Sequence, residues 1–127
     1  MRKRKKRYHT GEFNSTKMKS VSKFRSGWEH KYMMLLDVDS NVKEWYFENI
    51  KIPYVSNKKT GKVRNYYPDF TVIHEDGSKH IIEIKPKRKL GNATVKKKCS
   101  AAIDWCMEHG YHYKIITEIE LKQLGVL

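Results

Sequence analysis

Acid is scarce in this sequence. Asp and Glu number 14 against 27 Lys and Arg, for a formal net charge of +13. Such a surplus draws polyanions at long range and gains contact strength from counterion release, so nucleic acid is the expected partner and an anionic membrane a distant second. Cysteine is scarce too. Cys99 and Cys106 are the only two, which is too few for a disulfide framework and leaves a reducing, intracellular setting as the default. No stretch approaches the ~20 apolar residues of a membrane span. The N-terminus carries charge without an apolar core, so it does not read as a secretory signal.

What remains is a chain of 127 residues, 39% hydrophobic and 32% charged, enough for one compact domain with a modest core. Residues 1–19 read as a basic, flexible arm and 20–127 as the folded domain. In the arm, Arg2, Lys3, Arg4, Lys5, Lys6 and Arg7 are consecutive cations. A block of this kind repels itself; it serves either as a solubilising tail or as an arm tracking a phosphate backbone.

A helix is expected from Ser26, which can cap it, because Trp28, Tyr32, Leu35 and Leu36 recur at helical spacing. Strands are expected at 42–47, 50–56 and 63–67, then at 70–74 and 80–85 around Glu75-Asp76-Gly77, a strong hairpin signal. A basic loop leads to a helix at 94–109, stopped by Gly110, and a strand at 113–116. Thr117 and Glu120 form a capping box for a last short helix. The order predicts an α/β fold, a mixed central sheet flanked by helices.

The chemistry concentrates at Tyr67-Pro68-Asp69 and Glu83-Ile84-Lys85. Glu83 and Lys85, two apart on a strand, share one face. Asp69 reaches that face only if the hairpin turns through three residues, with Gly77 left-handed, so that Asp69 opposes Glu83; a two-residue turn would point it away. Two carboxylates are hard oxygen ligands for Mg²⁺ or Mn²⁺, and the Ile84 carbonyl offers a third. Lys85 is suited to orienting or deprotonating a water, or to stabilising developing charge. Glu29 has two readings: the second half of a capping box with Ser26, or a carboxylate joining the metal or its water, since Met33 and Leu36 turn its face toward the core.

Other cations extend the pattern. Lys96, Lys97 and Lys98 sit early in a helix, where positive charge opposes the helix dipole, which favours phosphate binding over helix stability as their purpose. Lys87, Arg88 and Lys89 adjoin the active strand, and Arg25, Lys62 and Arg64 are further candidates. Tyr66 and Tyr67 suit either core packing or backbone contact. Cys99 and Cys106 fall on one helix face with Ala102 and Ile103, a buried stripe rather than a zinc site.

The ordered motifs resemble the PD-(D/E)XK nuclease superfamily. More closely, Arg25-Ser26-Gly27-Trp28-Glu29, Ile52-Pro53-Tyr54, Tyr66-Tyr67-Pro68-Asp69-Phe70, Glu83-Ile84-Lys85-Pro86-Lys87, Ala101-Ala102 with Trp105, and Ile116-Thr117-Glu118 with Leu121 resemble TnsA-type transposon endonucleases and phage head-completion nucleases. The resemblance runs from about Phe24 to the C-terminus. It implies a restriction-endonuclease-like core and Mg²⁺- or Mn²⁺-dependent DNA hydrolysis. Glu29, Asp69 and Glu83 would bind metal and Lys85 would assist the nucleophile. TnsA-type enzymes often carry Gln where this chain has Glu83, and a separate second domain is not seen here. A small phage nuclease is therefore expected rather than a transposase partner. The resemblance also implies a bacterial host's cytoplasm or a virion as the setting, and a second copy of the chain or phage or mobile-element proteins as partners. The rival expectation is a non-catalytic DNA-end-binding or head-completion protein on the same fold.

Overall fold

The computed structural model describes residues 10–18 and 20–127; Arg2, Lys3, Arg4, Lys5, Lys6 and Arg7 lie outside them. The chain runs β1 (Gly11–Ser15), β2 (Ser20–Phe24), α1 (Gly27–Val38), β3 (Val42–Phe47), β4 (Ile52–Asn57), β5 (Lys62–Tyr66), β6 (Phe70–His74), β7 (Lys79–Ile84), α2 (Ala93–His109), β8 (His112–Ile116) and α3 (Glu118–Gln123). A 3-10 turn at Lys87–Lys89 replaces the expected basic loop after β7.

The central sheet has the order β3-β6-β7-β8. Its first three strands are antiparallel, and β8 joins β7 in parallel after the crossover through α2. This is the mixed sheet flanked by helices that the element order predicts. β4 and β5 form a separate two-stranded ribbon.

Strand parity sorts the side chains into two cores. On one face Phe70, Val72, Ile82 and Ile84 pack with Tyr32, Met33 and Leu36 of α1 and with Leu121 of α3. On the other, Ile81 packs with Ala102 and Cys106 of α2 and with Ile52, Tyr54 and Tyr66 of the ribbon. Met33 and Phe70 are fully buried, and each such side chain contributes about 1.5–3 kcal/mol. Within the expected stripe on α2, Ala102 and Cys106 are buried but Ile103 is 45% exposed.

β1 and β2, on either side of the boundary drawn at 19/20, pair as an antiparallel hairpin. Polar anchors hold this hairpin to α1, and apolar periodicity does not reveal such anchors. Asp37 accepts from the Ser15 hydroxyl at 2.7 Å, the Thr16 amide at 2.9 Å and the Trp45 indole at 2.8 Å. Lys17 Nζ donates to the carbonyls of Leu36, Asp39 and Val42 at 2.9, 2.8 and 2.6 Å, satisfying acceptors that the end of α1 leaves open. Phe13 and Met18 pack against the core beside it.

Candidate active site

The β6–β7 turn decides where Asp69 goes. It spans three residues: the His74 amide donates to the Ser78 carbonyl at 2.9 Å and the Gly77 amide to the His74 carbonyl at 3.0 Å. Gly77 has φ +87°, a conformation that glycine adopts without steric cost. The resulting register pairs Phe70 with Ile82, so the next step places Asp69 across from Glu83. Hydrogen bonds lock the two together. The Asp69 amide donates to Glu83 Oε1 at 3.1 Å, and the Ile84 amide donates to Asp69 Oδ2 at 2.8 Å. Lys85 Nζ lies 3.5 Å from Glu83 Oε2, with a quarter of its side chain exposed. Asp69, Glu83, Ile84 and Lys85 thus share one small site at the ends of two neighbouring strands.

Electrostatics set this pair apart. Burial, then the Glu83 charge, push the Asp69 carboxyl well above the usual carboxylate range, against the pull of the Ile84 amide; Glu29 adds to the rise and Lys85 opposes it. The ionised form of Asp69 beside Glu83 therefore calls for added positive charge. Hard oxygens, excess negative charge and the adjacent Ile84 carbonyl form a donor set that fits Mg²⁺ or Mn²⁺. Among the described residues, no three His, Cys, Asp or Glu side chains are gathered as a metal-holding group. The fit therefore rests on the Asp69–Glu83 pair.

Glu29 explains the difference. Its amide donates to Ser26 Oγ at 3.1 Å, and its Oε1 accepts from the Arg25 amide at 2.7 Å. The carboxylate is tied back across the start of α1 in a variant of the capping box, one residue out of the expected register. It still lies within the field of the site. Burial raises its pKa most, the Arg25 amide opposes, and Glu48 and Glu83 add to the rise.

Below the carboxylates lies a tyrosine pair. The Tyr66 and Tyr113 hydroxyls are 3.1 Å apart, and burial followed by the charge of Glu83 pushes the Tyr66 phenol far upward. Tyr66 is therefore a core residue that also lies in the field of Glu83, whereas Tyr67 is half-exposed.

Two clefts open on the site. One, of about 560 Å³, lies between the start of α1 and the end of β7 and is lined by Glu29, Lys85, Arg25, Arg88 and Lys89. The other, of about 510 Å³, includes Glu83, Tyr66, Tyr67, Lys98, Glu48 and Arg25. Of the expected phosphate contacts, Arg88, Lys89 and Lys98 line these clefts, and Lys98 also lies over the Tyr66 ring at 5.6 Å. Lys87 is exposed beside them, its amide held by Glu118 at 3.1 Å. Arg25 is paired with Glu48. Lys96 is exposed on α2. Lys97 donates to the Ser56 carbonyl at 2.8 Å, bracing α2 against the ribbon. Lys97 and Arg64 line a third, separate pocket.

Glu48 is a residue that sequence reasoning missed. Its φ of +50° is the one positive value outside glycine among the described residues, and its amide donates to the Asp69 carbonyl at 2.9 Å. A non-glycine held in this region beside the paired carboxylates is the kind of local strain that surrounding contacts must enforce. No sequence signal marks it, because Glu48 lacks the residue type that left-handed backbone favours.

The chain is similar to known proteins over the stretch that contains this site. Residues 39–118, more than half of the chain and including Asp69, Glu83 and Lys85, match the family described as TnsA-like endonuclease N terminal. The chain is also similar to the head completion nuclease of Enterobacteria phage T4, at 28% identity over 124 residues covering 80% of this chain and 82% of that protein. The chain belongs to the TnsA-like endonuclease N-terminal family.

Proposed function

We propose that this protein is a Mg²⁺- or Mn²⁺-dependent DNA endonuclease of phage or mobile-element origin, with low sequence specificity. The observation that carries the reading is the pairing of half-buried Asp69 with buried Glu83, joined through backbone amides and flanked by Lys85. Asp69, Glu83 and the Ile84 carbonyl would hold the cation. When bound, it supplies a neutralising charge for the phosphodiester and acidifies water.

The chain's own groups account for the rest. Lys85 Nζ, held near Glu83, donates hydrogen bonds to an attacking water or to a phosphate oxygen as negative charge develops. Glu83 is steadied by the Asp69 amide on one side and by the tyrosine pair beneath. Glu29, with one oxygen tied to the Arg25 amide, keeps the other for orienting water at the cleft. Arg88, Lys89 and Lys98 line the clefts as backbone contacts, which position DNA without reading its sequence. The basic segment 2–7 extends the same attraction.

Supercoiled plasmid is incubated with purified protein in Mg²⁺ and in EDTA, beside Asp69→Ala and Lys85→Ala. The reading expects nicking in Mg²⁺ only, lost in both variants. Plasmid binding without nicking in Mg²⁺ would replace it with a DNA-end-binding or head-completion role on the same fold.

A further inference from the structure

Beyond the two clefts at the carboxylates, a third concavity of about 390 Å³ lies between the ribbon and α2, lined by Lys62, Arg64, Lys97, Thr94, Tyr54 and Ser56 among others. Its lining contains three cations and no carboxylate. Among the described residues, neither Lys62 nor Arg64 is within ion-pair distance of an acid; the pairs found are Arg25–Glu48 and Lys85–Glu83. The two cations are exposed and available to a ligand, whereas Arg25 at the active site is already neutralised.

The position of this pocket follows from periodicity. Lys62, Arg64 and Tyr66 alternate along β5, so their side chains fall on one face of that strand. Tyr66 lines the cleft containing Glu83. At about 3.3 Å per residue, Arg64 and Lys62 lie roughly 7 and 13 Å farther along. The facing wall is α2, where Thr94 and Lys98 are one helical turn apart. Lys98 lines the Glu83 cleft and Thr94 the far pocket. Strand and helix thus both run from the Glu83 cleft to a neighbouring pocket whose charged lining residues are all cations.

We infer that the groove between β5 and α2 is the track for the phosphodiester backbone on one side of the cleavage point, with Lys62 and Arg64 gripping its phosphates and Lys97 holding the wall in place. This deepens the endonuclease reading and rests on DNA being the substrate. It makes the protein's grip asymmetric. DNA extending from the carboxylates toward the ribbon is held, so the ribbon and α2 set the substrate length needed on that side.

The test measures binding of a fluorescent 30-base-pair duplex in EDTA, so that cutting plays no part. Lys62→Ala/Arg64→Ala is compared with Lys43→Ala/Lys122→Ala, which removes the same charge from exposed positions outside the groove. Losing two phosphate contacts should lower the slope of log affinity against log salt by about 1.8. The groove variant's relative loss of affinity should therefore be about tenfold greater at 50 mM than at 200 mM salt. The control pair should leave the slope within about 0.5 of wild type. Equal effects of the two pairs, or an unchanged slope in the groove variant, would overturn the inference. If wild type binds as described but never nicks plasmid, the groove stands and the endonuclease reading falls.

Discussion

Replacing Asp69 with Asn should stabilise this protein while destroying its proposed activity. In the metal-free chain ionising Asp69 is costly, because burial and the Glu83 charge both favour its protonated form. The amide of Asn has the same shape. Its oxygen can still accept from the Ile84 amide, now at 2.8 Å, and its NH₂ can donate toward Glu83. The substitution therefore removes a repulsion without opening a cavity. Gains of this kind at active sites are about 1–2 kcal/mol, which for a domain of this size is a rise in Tm of roughly 4–8 °C. The sign depends on pH. A group whose folded pKa is raised loses its favourable contribution as pH rises from the unfolded value through the folded one. The gap between Asp69→Asn and wild type should then be absent at acidic pH, where Asp69 is protonated folded or unfolded, and should widen as pH rises above the unfolded carboxyl pKa. Divalent metal should close it, since a ligand at a hundred times its Kd adds about 2.7 kcal/mol to a protein that binds it and nothing to one that does not. Thermal unfolding in EDTA and in Mg²⁺, from pH 4 to 8, measures all of this. An Asp69→Asn protein less stable than wild type in EDTA at neutral pH, or one that Mg²⁺ stabilises equally, would refute the reasoning.

Two further substitutions probe the supports of the site. Asp37→Ala removes four hydrogen bonds and strands the Trp45 indole and the Ser15 hydroxyl; denaturant unfolding should show a loss of about 2–4 kcal/mol, and a loss below about 0.5 kcal/mol would mean that the hairpin is not anchored there. Burial raises the Asp37 pKa, but the bonds from Trp45, Ser15 and Thr16 outweigh it and leave it lowered. That stabilisation should be present above the unfolded carboxyl pKa and fade as pH falls through the folded one. Tyr66→Phe deletes the hydroxyl bonded to Tyr113, leaves the ring in place and costs about 1–2 kcal/mol. If Tyr66 steadies Glu83, the Mg²⁺ concentration for half-maximal nicking should rise several-fold; an unchanged Mg²⁺ dependence would reduce Tyr66 to a packing role.

The sequence made the sheet and the carboxylate pair legible because both depend on short-range rules. Alternation placed Glu83 beside Lys85, and Glu75-Asp76-Gly77 supplied the one turn that brings Asp69 opposite Glu83, as the observed register has it. The capping box at Thr117 and Glu120 forms as its spacing suggests, with the Thr117 amide donating to Glu120 at 2.8 Å. What was not legible depends on partners far away in the chain. β1 and β2 are short and polar and become a hairpin through Asp37 and Lys17. Arg25 looks like a free cation until Glu48 arrives from the end of β3. Lys97 also donates to the Ser56 carbonyl, a long-range contact that no local pattern announces. Glu29 caps the helix start one residue out of register, and it lies in the electrostatic field of Asp69 and Glu83.

The most direct test is crystallographic. An anomalous difference map from crystals grown with Mn²⁺ should show one strong peak within about 2.5 Å of oxygens from both Asp69 and Glu83, and Asp69→Asn crystals should lose it. A peak elsewhere, or a site touched by neither carboxylate, would contradict the claim that this pair is a metal-holding catalytic centre.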